Sequence, residues 1–376
     1  MTNFFTRRDF LLGASAVTTA LSVRDLAFSA QVSSKAPASK LAMPGPYRGK
    51  VVEVHHPGSI ISGNYQAEPV TQMMQRGMKE LTGMDWADAW RLFVQPGEVV
   101  GIKLNPVGGK ICCSAPEVVQ TIINGLNAAG IKNKDIIAYD RYRKQFLGVG
   151  FDKWLPEGVR WMYAAEDYEE IQQGIEGYDP DHYMDMALTL PGYDVNNLTA
   201  RRSYAARFMT QAVDKLINLC LLKDHQSAGI TMALKNLSHG SVNNVCRSHA
   251  TSTLNTCGAF IPAVVSMPVI RNKAVLHIMD GIKGLYHGGP GARPQFVWEH
   301  KTMWFATDPV AMDRVGWRVI DNKRVSVGMV KLAEAKPDQF STFLNRQVEH
   351  VELAGALGLG EYSLEKIQLK KVTLKG

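Results

Sequence analysis

Five cysteines are few for 376 residues, and no two of them stand in a Cys-x-x-Cys spacing. That absence excludes a ferredoxin-like iron–sulfur motif and a c-type haem attachment site, both of which need closely spaced cysteines. Cys246-Arg-Ser-His249 lacks the first cysteine of the haem pattern. The count is also too low for a disulfide scaffold. Cys112 and Cys113 are adjacent and Cys220 sits in an apolar run, so buried thiols are expected, with at most one Cys246–Cys257 bridge. No Gly-Lys-Ser/Thr phosphate loop, dinucleotide fingerprint or Gly-x-Ser-x-Gly elbow occurs, which disfavours ATP, NAD and α/β-hydrolase chemistry. No His-Glu-x-x-His helix and no internal repeat is present. There is no Lys/Arg-rich run either, so nucleic acid is not expected as a partner.

Hydrophobic residues make up 45% of the chain and charged residues 20%, the balance of an ordinary globular protein. The formal net charge is +7. The first thirty residues stand apart. Thr6-Arg-Arg-Asp-Phe-Leu-Leu12 precedes an uncharged stretch from Phe10 to Val23, too short to span a bilayer, which takes about 20 apolar residues. Paired arginines, an aromatic residue and a modest apolar run in this order resemble a twin-arginine export signal. Cleavage is expected after Ser29 or Ala30, with delivery of a folded protein to the periplasm. Removing Arg7, Arg8 and Arg24 with Asp9 and Asp25 leaves 39 basic against 33 acidic residues, a net charge of +6. That mild excess suits an anionic small molecule. No later run is long enough for a transmembrane span.

Residues 31–45, rich in Ser, Ala, Lys and Pro, read as a flexible tether. Residues 46–376 read as one α/β domain. Strands are expected at Val51–Val54, Val99–Leu104, Asp135–Tyr139, Leu216–Leu222, Ala274–Met279 and Met303–Ala306. Helices are expected at Val70–Leu81, Glu117–Ala129, Ile230–Leu237, Val310–Ile320 and Val351–Leu359. Strand, helix and strand from Val99 to Tyr139 form a parallel βαβ unit. Arg143 to Tyr204 has no clear period and reads as an inserted subdomain. The fold class is therefore a mostly parallel sheet with helices on both faces. Strands end in Asn105, Asp140, Lys223-Asp-His225, Asp280 and Asp308, and polar strand ends gathered on one edge imply a ligand cleft there.

Several of these segments together resemble the family catalogued as domain of unknown function 362. The resemblance runs through Pro96-Gly-Glu-Val-Val-Gly-Ile-Lys-Leu-Asn105, Leu222-Lys-Asp-His225 and Thr231-Met-Ala-Leu-Lys-Asn236. It continues in Ile278-Met-Asp-Gly281, Gly288-Gly-Pro-Gly291, Ala306-Thr-Asp-Pro-Val-Ala-Met-Asp313 and Ala356-Leu-Gly-Leu-Gly360. It implies no established reaction. Many relatives carry a ferredoxin module that this chain lacks.

The candidate chemistry follows from residue type. Lys103, Asn105, Lys223, Lys235, Asn236 and Arg293 are expected to bind an anion. If a helix starts near Ala228 or Gly229, its free N–H groups add to that site; the alternative is that the lysines pair with nearby aspartates. His225 and Asp280 are expected to move protons. His225, His239, His249 and Cys246 form a candidate transition-metal set, although the spacing is irregular. The functional expectation is an exported enzyme, redox or lyase-like, acting on an anionic ligand, with a periplasmic redox partner as an option. The alternative is a non-catalytic periplasmic protein that carries a metal or cofactor.

Overall fold

The computed structural model describes residues 39–169 and 171–376. The expected export signal and residues 31–38 of the tether lie outside the described residues. The packed fold begins earlier than Pro46, because Met43 is buried, donates its backbone N–H to Arg271 O and accepts from Arg271 Nε at its carbonyl.

Nine strands form the main sheet: β1 (Lys50–His55), β2 (Val100–Lys103), β3 (Ile136–Tyr139), β4 (Arg160–Met162), β5 (Lys215–His225), β6 (Gly229–Ile230), β7 (Ala274–Leu285), β8 (Val297–Ala306) and β9 (Gln368–Thr373). Their order is β9-β1-β8-β7-β5-β2-β3-β4, with β6 pairing back on β5. Every neighbouring pair along this path is parallel except the two made by β8, which runs against β1 and β7.

The central strand β5 reads as a near-continuous apolar run because both sheet faces are covered. Leu216, Cys220 and Leu222 point to one face, Ile217 and Leu219 to the other, as the two-residue period of a strand requires. Helices α1 (Ala67–Thr82) and α2 (Pro116–Ala128) cover the Ile217 face. The Leu216 face carries α3 (Met232–Ser241), α4 (Cys257–Val265), α5 (Pro309–Ser326) and α6 (His350–Ala356). Helix α2 illustrates the local logic. Pro116 occupies its first turn, Val118, Ile122 and Leu126 face the core, and Gly130 at φ 100° ends it, a position where a Cβ would be strained.

From β2 the chain moves through α2 to β3 and the sheet edge. From β5 it moves the opposite way, through α3 and α4 on the other face, to β7. The strand order thus reverses between β2 and β5, and a crevice opens beyond their carboxyl ends, where open α/β sheets bind ligands.

Three expectations change. First, β8 is antiparallel, so its carboxyl end lies at the opposite edge, and Asp308 does not join the other polar strand ends. It caps α5 instead, accepting hydrogen bonds from Ala311, Gly49 and Glu361 N–H at 2.8–2.9 Å. Second, the segment from Arg143 to Tyr204 is not wholly an insertion: Arg160–Met162 is the edge strand β4, parallel to β3. What stands off the sheet is mainly the hairpin of Tyr178–Asp185 with Arg202–Ala206. Third, α3 starts at Met232, because Gly229 and Ile230 turn back on β5.

The N-terminus of α3 is already occupied. Asp313 on α5 accepts hydrogen bonds from Ala233 N–H at 2.7 Å and Leu234 N–H at 2.9 Å. Those donors are spent inside the core and are not part of an anion site. Asp313→Ala, which orphans both, is expected to lower unfolding free energy by about 2–4 kcal/mol; Asp88→Ala on the surface is expected to change it by less than about 0.5 kcal/mol. Urea denaturation of the two variants checks this.

Candidate functional site

A cavity of about 160 Å³ opens where β2 and β5 end, room for roughly five waters at about 30 Å³ each. Lys103, Asn105, Lys223, His225, Lys235 and Asn236 all line it, as do His239 and His249. Four of its walls are cationic, Lys103, Arg141, Lys223 and Lys235, and among the described residues the one carboxylate in the lining is Asp140.

The cations differ in how they are satisfied. Lys103 Nζ lies 2.6 Å from Asp140 Oδ1 and also donates to Leu104 O, so for this lysine the simpler alternative, an internal ion pair, holds. Gly240 lets α3 approach it, since a Cβ there would sit 2.1 Å from Lys103 Cε. Lys223 Nζ donates to Asn105 Oδ1 at 3.1 Å. Asn105 Nδ2 donates to Asn236 Oδ1 at 3.1 Å, and Asn236 Nδ2 donates to Asn218 Oδ1 at 2.8 Å. The two asparagines are therefore a relay that positions the lysines. Asp224, next in sequence to Lys223, turns away: it accepts from Gly289 N–H and lies 3.8 Å from Arg346.

Lys235 is the exception. Its residue is 7% exposed, yet among the described residues its ammonium has neither a hydrogen-bond acceptor nor an ion-pair partner. Burial, reinforced by the charges of Arg141 and Lys223, pushes its pKa down to about 8. Arg141 donates to Val242 O and to the Tyr142 hydroxyl, leaving its Nε buried without a partner. Gln172, at φ 55° on the cavity wall, has both side-chain polar atoms buried and unpartnered.

The three imidazoles are held neutral. Burial, then nearby lysine charge, lowers His225 and His239 well below 6.5 and His249 to about 3. His225 Nδ1 accepts from Ser227 N–H at 3.2 Å and lies 2.9 Å from the Ser227 hydroxyl. The proton is thereby assigned to Nε2, which has no protein partner among the described residues and serves as a donor.

The metal candidates regroup. His239, His249 and Cys257 each offer a ligand atom within 4.8 Å of one another. Cys246 is not in this group: its thiol donates to Ile171 O at 3.1 Å. All five thiols are free. The Ser248 hydroxyl stands among the three candidate ligands, 3.1 Å from His239 Nε2, 2.9 Å from His249 Nδ1 and 3.8 Å from Cys257 Sγ. Burial also raises the Cys257 pKa, holding the thiol protonated. The three are joined in a hydrogen-bonded cluster around Ser248.

Two expected residues lie elsewhere. Asp280 is buried under Tyr65, whose hydroxyl donates to its two oxygens at 3.1 and 3.2 Å; burial pushes it up to about 7. Arg293 stacks on Phe340 at 5.0 Å; of its glycine-rich loop, Pro290 reaches the cavity. Arg141 and Gln172 carry no expectation from the sequence, and Cys257 only that of a bridge to Cys246. Arg141 follows the polar strand end Asp140, the signal that would have found it. A wider cleft of about 740 Å³, with Tyr193 and Phe343 in its walls, adjoins the cavity and shares Tyr168 and His249 with it.

A family model described as domain of unknown function (DUF362) matches residues 100–318, more than half of the chain. The protein therefore belongs to the domain of unknown function 362 family. The matched range runs from β2 into α5 and contains every residue that lines the cavity. A crystal structure of a protein from Thermotoga maritima is similar at 11% identity and a TM-score of 0.33, over 58% of this chain and 51% of that one. The chain thus spans about half the length of that protein, and a likeness so distant carries no functional argument. No curated protein matches this chain.

The neutral imidazoles make stability depend on pH. Their folded pKa values lie below 6.5, so their contribution is present above pH 6.5 and lost as pH falls toward 3. The melting temperature is expected to drop across that window, and less steeply in His249→Gln. A pH series of thermal melts checks both.

Proposed function

We propose that this protein binds an anionic small molecule in the cavity between β2 and β5 and acts on it as an enzyme. The observation that carries the reading is the Lys235 ammonium, unpaired among the described residues, beside Lys223 and Arg141 in a wall whose single described carboxylate already serves Lys103. A buried cation without a counter-charge is costly, and a carboxylate or phosphate would supply the missing charge through charge-assisted hydrogen bonds. His225 Nε2–H and the Gln172 amide add neutral donors. The adjoining cleft gives the rest of the ligand a path outward. Redox or lyase-like chemistry would draw its proton transfers from Lys235 and His225. Asp280, covered by Tyr65 and outside the cavity lining, takes no direct part.

The second reading, a non-catalytic carrier of a metal or cofactor, draws its support from the His239, His249 and Cys257 group. Elemental analysis of the purified protein separates the two: stoichiometric zinc, nickel or iron bound through that group favours the carrier.

We also propose export to the periplasm by the twin-arginine route, on the strength of Thr6-Arg-Arg-Asp-Phe-Leu-Leu12. Replacing Arg7 and Arg8 together by lysine is expected to leave unprocessed protein in the cytoplasm, read by fractionation; unchanged export rejects the route. For the cavity, calorimetric titration with inorganic phosphate at pH 7 is expected to give one site. Lys235→Met and Lys223→Met should each weaken it about tenfold or more. Equal affinity in all three proteins would remove the site.

A further inference from the structure

We propose that Lys235 is a nucleophile that condenses with the carbonyl group of a small anionic oxo compound, such as a 2-oxo acid, to form an imine. This rests on the anion-binding reading above and deepens it. Three features of the cavity carry it. The amine projects from the first turn of α3 into the cavity and, among the described residues, has no partner to hold it as an ammonium ion. Lys223 and Arg141 line the same cavity, where their charges disfavour that of Lys235 and are available to a carboxylate. His225, His239 and His249, held neutral by burial, supply no negative charge to keep the amine protonated. A desolvated lysine flanked by fixed cations is an arrangement that makes an amine nucleophilic near neutral pH. Lys103 cannot serve, since Asp140 pairs it, and Lys223 is tied to Asn105.

The chemistry needs no oxidant or metal. The Lys235 Nζ lone pair forms the N–C bond while the carbonyl π bond breaks onto oxygen, which takes a proton released by the nitrogen. The carbinolamine then loses its hydroxyl together with the second nitrogen-bound proton as water, leaving C=N. Amine plus carbonyl gives imine plus water. His225 Nε2–H donates a hydrogen bond to the oxygen as charge develops there. The product imine withdraws electrons from the neighbouring carbon, so the reactions it serves are proton abstraction, decarboxylation or carbon–carbon cleavage at that carbon. This is the lyase-like half of the proposed function.

The test uses the full chain with pyruvate and glyoxylate as probes, sodium cyanoborohydride as trap, and acetone as an uncharged control. The expected result is one reduced adduct per chain by intact mass, mapped to Lys235 by peptide mass spectrometry. It should form at least tenfold faster with pyruvate than with acetone and be slowed by inorganic phosphate. Trapping should rise with pH toward about 8, where the amine loses its proton. Lys235→Arg, which keeps a cation but cannot form the imine, should give no adduct at the cavity. Lys223→Met, which keeps the nucleophile but removes both a carboxylate partner and a charge that disfavours the ammonium, should slow trapping of pyruvate more than that of acetone. Absence of an adduct with both probes, or labelling spread over surface lysines at equal rates, overturns the proposal. If phosphate still binds in that case, the anion site stands without the covalent step; if phosphate fails too, both readings fall.

Discussion

The architecture turns on the cost of keeping an ammonium ion out of water. Lys103, Lys223 and Lys235 are each at least nine-tenths buried, and each meets the desolvation penalty in a different way. Lys103 has a carboxylate, Lys223 has an amide oxygen, and Lys235 has no partner among the described residues. The graded satisfaction points inward along the cavity, from a structural ion pair at β2 to an open valence on α3. The Asn105–Asn236–Asn218 relay ties β2, α3 and β5 into one unit, so the lysines are set by buried hydrogen bonds and not by mobile loops. Such polar networks hold their geometry because any broken member leaves an unpaired group in low dielectric.

That arrangement depends on topology. Only where the strand order reverses do the ends of two adjacent parallel strands stand free of a crossing connection. Here that point falls between β2 and β5. α2 lies on one face and α3 on the other, and Asp313 anchors α3 from α5. Asp313 thus has an indirect part in the site: by occupying the α3 N–H groups it fixes the turn from which Lys235 projects. The outer cleft at Tyr168 and His249 connects this charged interior to solvent.

Much of this was legible in the sequence because it rests on local patterns. Alternation and apolar runs located β1, β2, β3, β5 and the start of β7; Pro116 and Gly130 bounded α2. Polar strand ends pointed to Lys103, Asn105, Lys223 and His225, which do share a cavity. Other features were not legible, for physical reasons. Strand direction leaves no trace in burial pattern, so Asp308 read like its counterparts while sitting at the opposite edge. β4 is three partly exposed residues at an edge and has no periodicity to detect. The α3 N-terminus looked available because nothing local reveals a carboxylate eighty residues away. Cys257 replaced Cys246 beside the histidines because proximity there is set by the start of α4, not by distance along the chain. Asp280 shares the polar strand-end pattern, but β7 continues past it to Leu285, and Tyr65 covers it.

The central claim is that the cavity holds an anion against Lys235. Anomalous scattering from a crystal soaked in selenate tests it most directly. The account predicts a selenium peak within hydrogen-bonding distance of Lys235 Nζ and Lys223 Nζ, displaced by phosphate. A cavity without that peak, while selenate orders at other sites on the same molecule, would contradict it.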